Sequence, residues 1–297
     1  MGKKVLVTGA NGTLGSLLVK RLLDTTAYDV IAVVRSPEKY RDLLEKIQAS
    51  KHERLFFLEN SKLIDTELEN LYAAVHMAFA RRNRPSAEIA GSIDFSAQVF
   101  RKLAQSDVQR VINISSQGIY GDTDEIRTEQ TPPAPVTAYT MAKYAAEKIC
   151  NFCFADSGKE FTNLRLDLVI QSQNLVPALC RQAKKGKICL KGGEQRFSFI
   201  DAEDAVRAVE AMIQSKGEWE QTYNVGWNRK RYKLTEVAEV VADTVSKIGY
   251  KRPEIVLEQQ DIKLWSGMSS ERFIHHTGWK PQIRLSEMVE RVLKAIE

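Results

Sequence analysis

No apolar run in the chain approaches the roughly 18–20 residues a membrane span requires, so no membrane association is expected. The opening stretch MGKKVLVTGA passes straight into a strand and a glycine turn, without the h-region and cleavage site of a secretory signal. Leu6 also stands where an N-myristoylation motif wants Ser or Thr. Long basic tracts interleaved with aromatics are missing. The 43 Lys and Arg against 38 Asp and Glu leave a scattered formal charge of +5 over 297 residues, and nucleic acid is not expected as a partner. Cysteine is scarce: four residues fit reduced, mostly buried side chains and a cytoplasmic setting. Cys150 and Cys153 form a C-x-x-C, read either as a redox or metal pair or as two apolar positions on one helix. No second such pair and no histidine cluster completes a metal site, so no metal is expected.

What the chain does have is alternation. KKVLVTG, YDVIAVV, RLFFLE, AAVHMAFA, VQRVINISS and FTNLRLDLVI read as strands, near-continuously apolar as buried parallel strands are. Amphipathic segments such as LGSLLVKRLLDT, GSIDFSAQVFRKLAQS and AYTMAKYAAEKICNFCFADSG lie between several of them. The fold class is therefore α/β, a doubly wound parallel sheet of the Rossmann kind. Past residue 170 the pattern loosens: a helical stretch NLVPALCRQAKKG, a Gly192-Gly193 turn, the run FSFIDAEDAVRAVEAMI, a short strand QTYNVG and two later helices. This divides the chain into a dinucleotide-binding domain over 1–170, joined by a strand near 222–226, and a smaller irregular substrate-binding cap over 171–297.

Gly9, Gly12 and Gly15 in TGANGTLG directly follow the first strand and open the first helix. In that context the glycines allow a tight turn, close approach of backbone to a pyrophosphate and close helix–strand packing. The N–H groups of Asn11, Gly12, Thr13 and Leu14 surround the helix start, where an anion is favoured. An acidic residue closing the second strand would accept hydrogen bonds from the ribose hydroxyls of NAD. Here the strand ends Val33-Val34-Arg35-Ser36, and Arg35 offers forked donors and charge to a 2′-phosphate. NADP is the expected cofactor, with NAD as the alternative.

Tyr139 and Lys143 stand four apart in AYTMAKYAAEK, so a helix sets them on one face. A phenol with pKa near 10 needs a neighbouring cation to act as an acid–base group at neutral pH. Ser116, closing the fifth strand, is placed to orient a carbonyl oxygen. Hydride transfer at carbon with proton transfer at oxygen calls for such a set.

With these residues the sequence resembles the extended short-chain dehydrogenase/reductases, the family of nucleotide-sugar epimerases, dehydratases and reductases, over nearly its whole length. TGANGTLG is similar to the family's TGxxGxxG turn, INISSQGIYG to its SSxxxYG segment and YTMAK to its Tyr-x-x-x-Lys. FSFIDAEDAVRAV, YNVG and HTGWKP extend the likeness. The resemblance implies catalytic roles for Ser116, Tyr139 and Lys143, with Lys143 also reaching the nicotinamide ribose. It implies cofactor contacts at Ala78 and Ala80, an adenine contact at Asn60, and a homodimer through the helix holding Tyr139 and the one before the fifth strand.

The substrate half departs from that pattern. LRLDLVIQSQ replaces the usual Asn and Gly-Pro turn, Ser92 stands where many members carry an active-site Asn, and Glu59-Asn60 replaces Gly-Asp. Gln117, a candidate substrate contact, follows Ser116, with no Asp-Glu pair of the kind the 4,6-dehydratases carry. Arg81, Arg82 and Arg84 follow the fourth strand, either to clamp a phosphate or carboxylate or as a solvated loop. Arg196 in GGEQRFSF lies near the family's diphosphate arginine, one residue out of register with some members. His275-His276 reads as structural, and Lys184-Lys185-Gly186-Lys187 as a solvated helix end. The expected activity is NAD(P)-dependent oxidoreduction, with reduction favoured, of a nucleotide-sugar or related keto or hydroxy compound. A tight-NAD epimerase and a non-catalytic NADP-sensing scaffold are the alternatives.

Overall fold

The computed structural model describes residues 2–48, 52–172 and 175–296; of the segments read above, Met1, Gln173 and Asn174 fall outside them. The first half runs β1 (Lys4–Thr8), α1 (Thr13–Thr25), β2 (Asp29–Val34), α2 (Pro37–Lys46), β3 (Leu55–Glu59), β4 (Leu71–His76), α3 (Ser86–Gln105), β5 (Arg110–Ser116), α4 (Ala138–Phe154) and β6 (Glu160–Leu166). Then come β7 (Leu168–Val169), α5 (Leu175–Lys184), β8 (Lys187–Lys191), β9 (Arg196–Phe197), β10 (Phe199–Ile200), α6 (Ala202–Gln214) and β11 (Thr222–Val225). The last elements are β12 (Tyr232–Lys233), α7 (Leu234–Lys247), β13 (Glu254–Glu258), α8 (Glu271–Thr277) and α9 (Leu285–Ala295).

Seven strands pair in parallel in the order β11-β6-β5-β4-β1-β2-β3, the doubly wound sheet the alternation implied. Period-two alternation sends neighbouring side chains to opposite layers. Val5 and Val7 of β1, Ala32 and Val34 of β2 and Ile112 of β5 share a core with Leu18 and Leu22 of α1, Leu43 of α2 and Val209 of α6. Leu6, Val33 and Val111 face the other way, toward Val99 and Phe100 of α3 and Cys150 and Phe154 of α4. Each Leu, Val or Phe so buried contributes about 1.5–3 kcal/mol. A third core joins Val176 and Leu179 of α5, Ile188 of β8, Val237 and Val241 of α7, and Met288 and Val292 of α9. The segment after residue 170 is thus shared between two cores, because α6, β11 and Phe273 of α8 pack with the sheet.

One local reading changes. FTNLRLDLVI is two strands, not one: β6 stops at Leu166 and β7 pairs with β10. The break is at Asp167, whose N–H donates to Val225 O at 2.9 Å while its buried carboxylate accepts from Leu168 N at 3.1 Å and from Ser198 Oγ. His276 Nε2 lies 3.3 Å from Ser215 Oγ and its ring 5.4 Å from that of Tyr223. Of the cysteines, Cys150 and Cys180 are buried, Cys153 half-buried and Cys189 exposed; Cys150 and Cys153 both lie on α4. Among the described residues no helix is long and apolar enough to cross a membrane.

Candidate active site

The strand order reverses between β1 and β4, and the crevice beyond the carboxyl ends of such a switch point is where open α/β sheets take ligands. The glycine turn fills it with backbone. Gly9 has φ +67°, and a Cβ there would lie 2.8 Å from the Cα and N of Ala78. A Cβ on Gly15 would lie 2.2 Å from Gly9 O, so any side chain would push α1 off the turn. Gly12, whose N–H donates to Gly9 O at 2.9 Å, precedes Thr13 and Leu14 in the first turn of α1.

A cleft of about 670 Å³ opens over this turn. Gly9, Asn11 and Gly12 line it from β1, Arg35, Lys39 and Lys46 from the end of β2 and from α2, and Asn60 from the end of β3. Ala78, Phe79, Ala80, Arg81 and Ser92 line it from β4 and α3. The structure therefore brings Arg35, Asn60, Ala78, Ala80 and Arg81 to one cleft with the glycine turn. Lys39 and Lys46, seven apart on α2, are additions to the residues read from the sequence. Lys46 Nζ donates to Asn11 O and Lys39 pairs with Asp42 at 2.7 Å. Asn60 Oδ1 is buried with no hydrogen-bond partner among the described residues, an acceptor left for a ligand's donor. A cradle that no Cβ could share, an orphaned acceptor and three cations fit an extended anionic dinucleotide.

The segment leaving β4 is held by a buried hydrogen-bond chain. Thr8 Oγ1 accepts from Met77 N at 3.1 Å and Ala78 N at 3.2 Å, so its own proton goes to His76 Nδ1 at 2.9 Å. His76 Nε2–H then donates to Ser96 Oγ at 2.8 Å, and Ser96 to Ser92 O at 2.7 Å. Ser92, at the position of the family's Asn, accepts from Ala80 N at 2.9 Å. Burial, with the charge of Lys143 adding to it, drives His76 down to about 3, so it stays neutral.

Tyr139 and Lys143 sit in the first two turns of α4, which Thr137 and Thr140 start with a reciprocal capping box. Lys143 is buried; its Nζ donates to Ile114 O at 2.7 Å and lies 4.0 Å from the centroid of the Phe79 ring. The same ring meets Tyr139 edge-on, centroids 5.9 Å apart at 88°. Burial pushes Tyr139 up to about 12, with Arg82 opposing, and pushes Lys143 down to about 7, with Glu147 opposing. Ser116 Oγ accepts from Gly118 N at 3.2 Å, which leaves its proton to donate.

Two of the expected substrate residues are engaged elsewhere. Gln117 is buried with Oε1 accepting from Gly267 N at 3.2 Å, and Arg196 reaches Asp124 at 3.2 Å beside Arg231. Neither lines the dinucleotide cleft. Phe79 went unnoticed in the sequence because an aromatic in an apolar strand reads as core, although it stands between the two assigned alanines.

A model of the NAD dependent epimerase/dehydratase family matches residues 5–226. The dTDP-glucose 4,6-dehydratase of Neisseria gonorrhoeae is 24% identical over 302 residues, covering 88% of this chain and 83% of that protein. An uncharacterized UDP-glucose epimerase of Bacillus subtilis is 21% identical, covering 92% of each. Among solved structures, a UDP-glucuronic acid 4-epimerase from Bacillus cereus in complex with a fluorinated UDP-glucuronic acid and NAD superposes with a TM-score of 0.83 at 17% identity, over 99% of this chain and 100% of that one. A dTDP-glucose 4,6-dehydratase from Streptomyces venezuelae with NAD bound gives 0.79 at 19%, over 98% and 96%. The structural likenesses show a shared Rossmann-type fold; with the family match, the chain belongs to the NAD dependent epimerase/dehydratase family, enzymes of the extended short-chain dehydrogenase/reductase type.

Proposed function

We propose that the chain is an NAD(P)-dependent oxidoreductase that reduces a keto carbon of a nucleotide-activated sugar or a related compound. Ser116, Tyr139 and Lys143 are its catalytic residues. The observation that carries this reading is the Phe79 ring: one side lines the cleft of the glycine turn, and the Lys143 ammonium and Tyr139 ring pack on it. Cofactor cleft and acid–base pair are thus neighbours.

A bound nicotinamide supplies hydride exchange at a substrate carbon. The chain's own residues handle the oxygen. Ser116 donates its free hydroxyl proton to orient it. Tyr139, held protonated at neutral pH by a pKa pushed up to about 12, gives its proton to the oxygen as negative charge develops there. The Lys143 ammonium, its pKa pushed down to about 7 by burial, stabilises the phenolate left behind, and water or ligand oxygens that reach it favour its charged form. A phenol that keeps its proton favours reduction; the epimerases among the relatives favour the reading in which the transfer reverses within one turnover. Arg35 with Lys39 and Lys46 supports NADP over the NAD named for the solved neighbours. Arg81 offers a charge to an anionic substrate group, and the part of residues 171–297 gathered around α5, α7 and α9 serves as the substrate-binding cap. Exposed Met141 and Phe152 on α4 support a homodimer through α3 and α4, and the four free cysteines support a cytoplasmic setting.

Thermal-shift titrations with NAD, NADP and nucleotide sugars are the test, since a ligand binding only the native state raises the midpoint with its affinity. NADP is expected to stabilise more than NAD, and Arg35→Ala to abolish the difference. NAD co-purifying, with no external cofactor consumed in turnover, would establish the epimerase instead. Tyr139→Phe is expected to lower kcat about 10²–10⁴-fold; unchanged turnover would remove Tyr139 from the chemistry.

A further inference from the structure

We propose that Phe79 is a positioning residue, a side-chain gate that closes the dinucleotide cleft off from Lys143 and Tyr139 until a dinucleotide displaces it. The inference rests on the catalytic reading of that pair.

Three observations carry it. The ring occupies the ground between: Phe79 lines the cleft, whereas Tyr139, Lys143 and Ser116 do not. Its face covers the Lys143 ammonium at 4.0 Å and its ring packs against Tyr139. Second, the backbone around it is pinned. The N–H groups of Met77 and Ala78 bond to Thr8, and that of Ala80 to Ser92. The neutral His76 bridges Thr8 to Ser96, leaving no loop free to lift away. Opening therefore falls to rotation of the Phe79 side chain, which has two soft torsions. Third, an ammonium carries three donors, and among the described residues Lys143 has one acceptor, Ile114 O. The aromatic face stands in for the others through a cation–π contact, a partner that ligand oxygens readily replace. While the ring is in place it keeps water and ligand oxygens from the Lys143 ammonium.

Lysine accessibility tests the gate without reference to turnover. Reductive methylation of the ligand-free protein at pH 10, where protonation no longer protects either amine strongly, mapped by peptide mass spectrometry, is expected to modify Lys143 far more slowly than exposed Lys187. Phe79→Ala is expected to raise the Lys143 rate at least tenfold and to leave Lys187 unchanged. Equal Lys143 rates in the folded variant and the wild type would overturn the gate, and so would a wild-type Lys143 as reactive as Lys187. Should Phe79→Ala fail to fold, the wild-type protein still decides. A nuclear Overhauser contact between the Phe79 ring and the Lys143 side chain is expected to vanish on saturation with NADP or NAD. Persistence of that contact in the saturated protein would overturn the proposal. A protein that passes these tests yet turns over no substrate would instead refute the catalytic reading.

Discussion

Arg127 and Arg165 are buried almost equally, at 1% and 5% exposure, yet they are held by opposite means. Arg165 on β6 spends every nitrogen: Nε and Nη2 donate to the Glu147 carboxylate at 3.0 and 2.7 Å, and Nη1 to Tyr120 Oη at 2.8 Å. Tyr120 passes its proton to Asn224 Oδ1 at 2.8 Å and stacks its ring 4.7 Å from the guanidinium. Burial alone would disfavour that charge; Glu147 and Tyr120 reverse the balance, and its pKa is raised. Arg127, between β5 and α4, donates only through Nη2, to Gly121 O at 2.6 Å and Trp265 O at 2.9 Å. Its Nε and Nη1 are buried without partners among the described residues. Burial lowers its pKa, and the nearby Asp122 and Asp167 offset that only in part. The first arginine is a neutralised ion pair under the helix of Tyr139. The second is a bracket, using one nitrogen and its own backbone to join the 121–137 loop to residues 265–269. Buried charge in this fold is thus compensated below the acid–base pair and left uncompensated at the seam with the C-terminal segment.

The largest effect should come from breaking the compensated pair. Glu147→Ala strands the Arg165 guanidinium in the core, and removing one partner of a buried pair costs about 3–5 kcal/mol. Urea unfolding of the variant measures this directly; a loss under 1 kcal/mol would mean the pair is not what holds Arg165. The same change removes the carboxylate that supports the charge of Lys143, so the pKa of Lys143 should fall further below about 7.

The two arginines also mark how far the sequence could be read. The runs around Arg165 have strand periodicity and glycine punctuation, which burial enforces, so the sheet, the glycine turn and the Tyr139–Lys143 helix were all visible. The seam was not. Arg127 sits in an aperiodic stretch where a buried arginine and a solvated one look alike. Asp167 lies inside LRLDLVI, whose apolar neighbours outweigh it in any window, so the strand break it causes passed unseen. Phe79 was hidden for the converse reason, its type suiting both a core and a cleft wall. Lys39 and Lys46 declare themselves only once α2 is laid beside the glycine turn.

A smaller effect, specific in its pH dependence, is expected at the seam. Burial pushes Asp167 up to about 6 from its ordinary 3.8, with the Ser198 hydroxyl and the Leu168 N–H opposing as donors. A carboxyl with a raised folded pKa binds more protons folded than unfolded between those values. Its contribution is therefore most favourable below about pH 4 and is lost as pH rises through 6. At about 1.4 kcal/mol per unit, the penalty above pH 6 is roughly 1–3 kcal/mol. Asp167→Asn keeps the shape and cannot ionise. Measured by urea unfolding, its stability relative to wild type should improve between pH 4 and pH 7.5; a constant difference would show that Asp167 does not titrate in the folded chain.

The smallest effect tests the bracket itself. Arg127→Met places an apolar chain of similar length where the guanidinium leaves two donors unpaired, and such replacements of buried charge are near neutral or stabilising. The gain is set against two carbonyls, Gly121 O and Trp265 O, that lose their donor, at about 1 kcal/mol each. The net change should stay within about 1 kcal/mol of wild type, well short of the loss at Glu147. The coupling is more informative than the size. Removing the Arg127 charge removes an attraction that lowers the Asp167 pKa, so the pH midpoint of the stability curve should move upward in Arg127→Met and vanish in the double variant with Asp167→Asn. If Arg127→Met instead costs as much as Glu147→Ala, the unpaired nitrogens are held by ordered water, and the two buried arginines are alike after all.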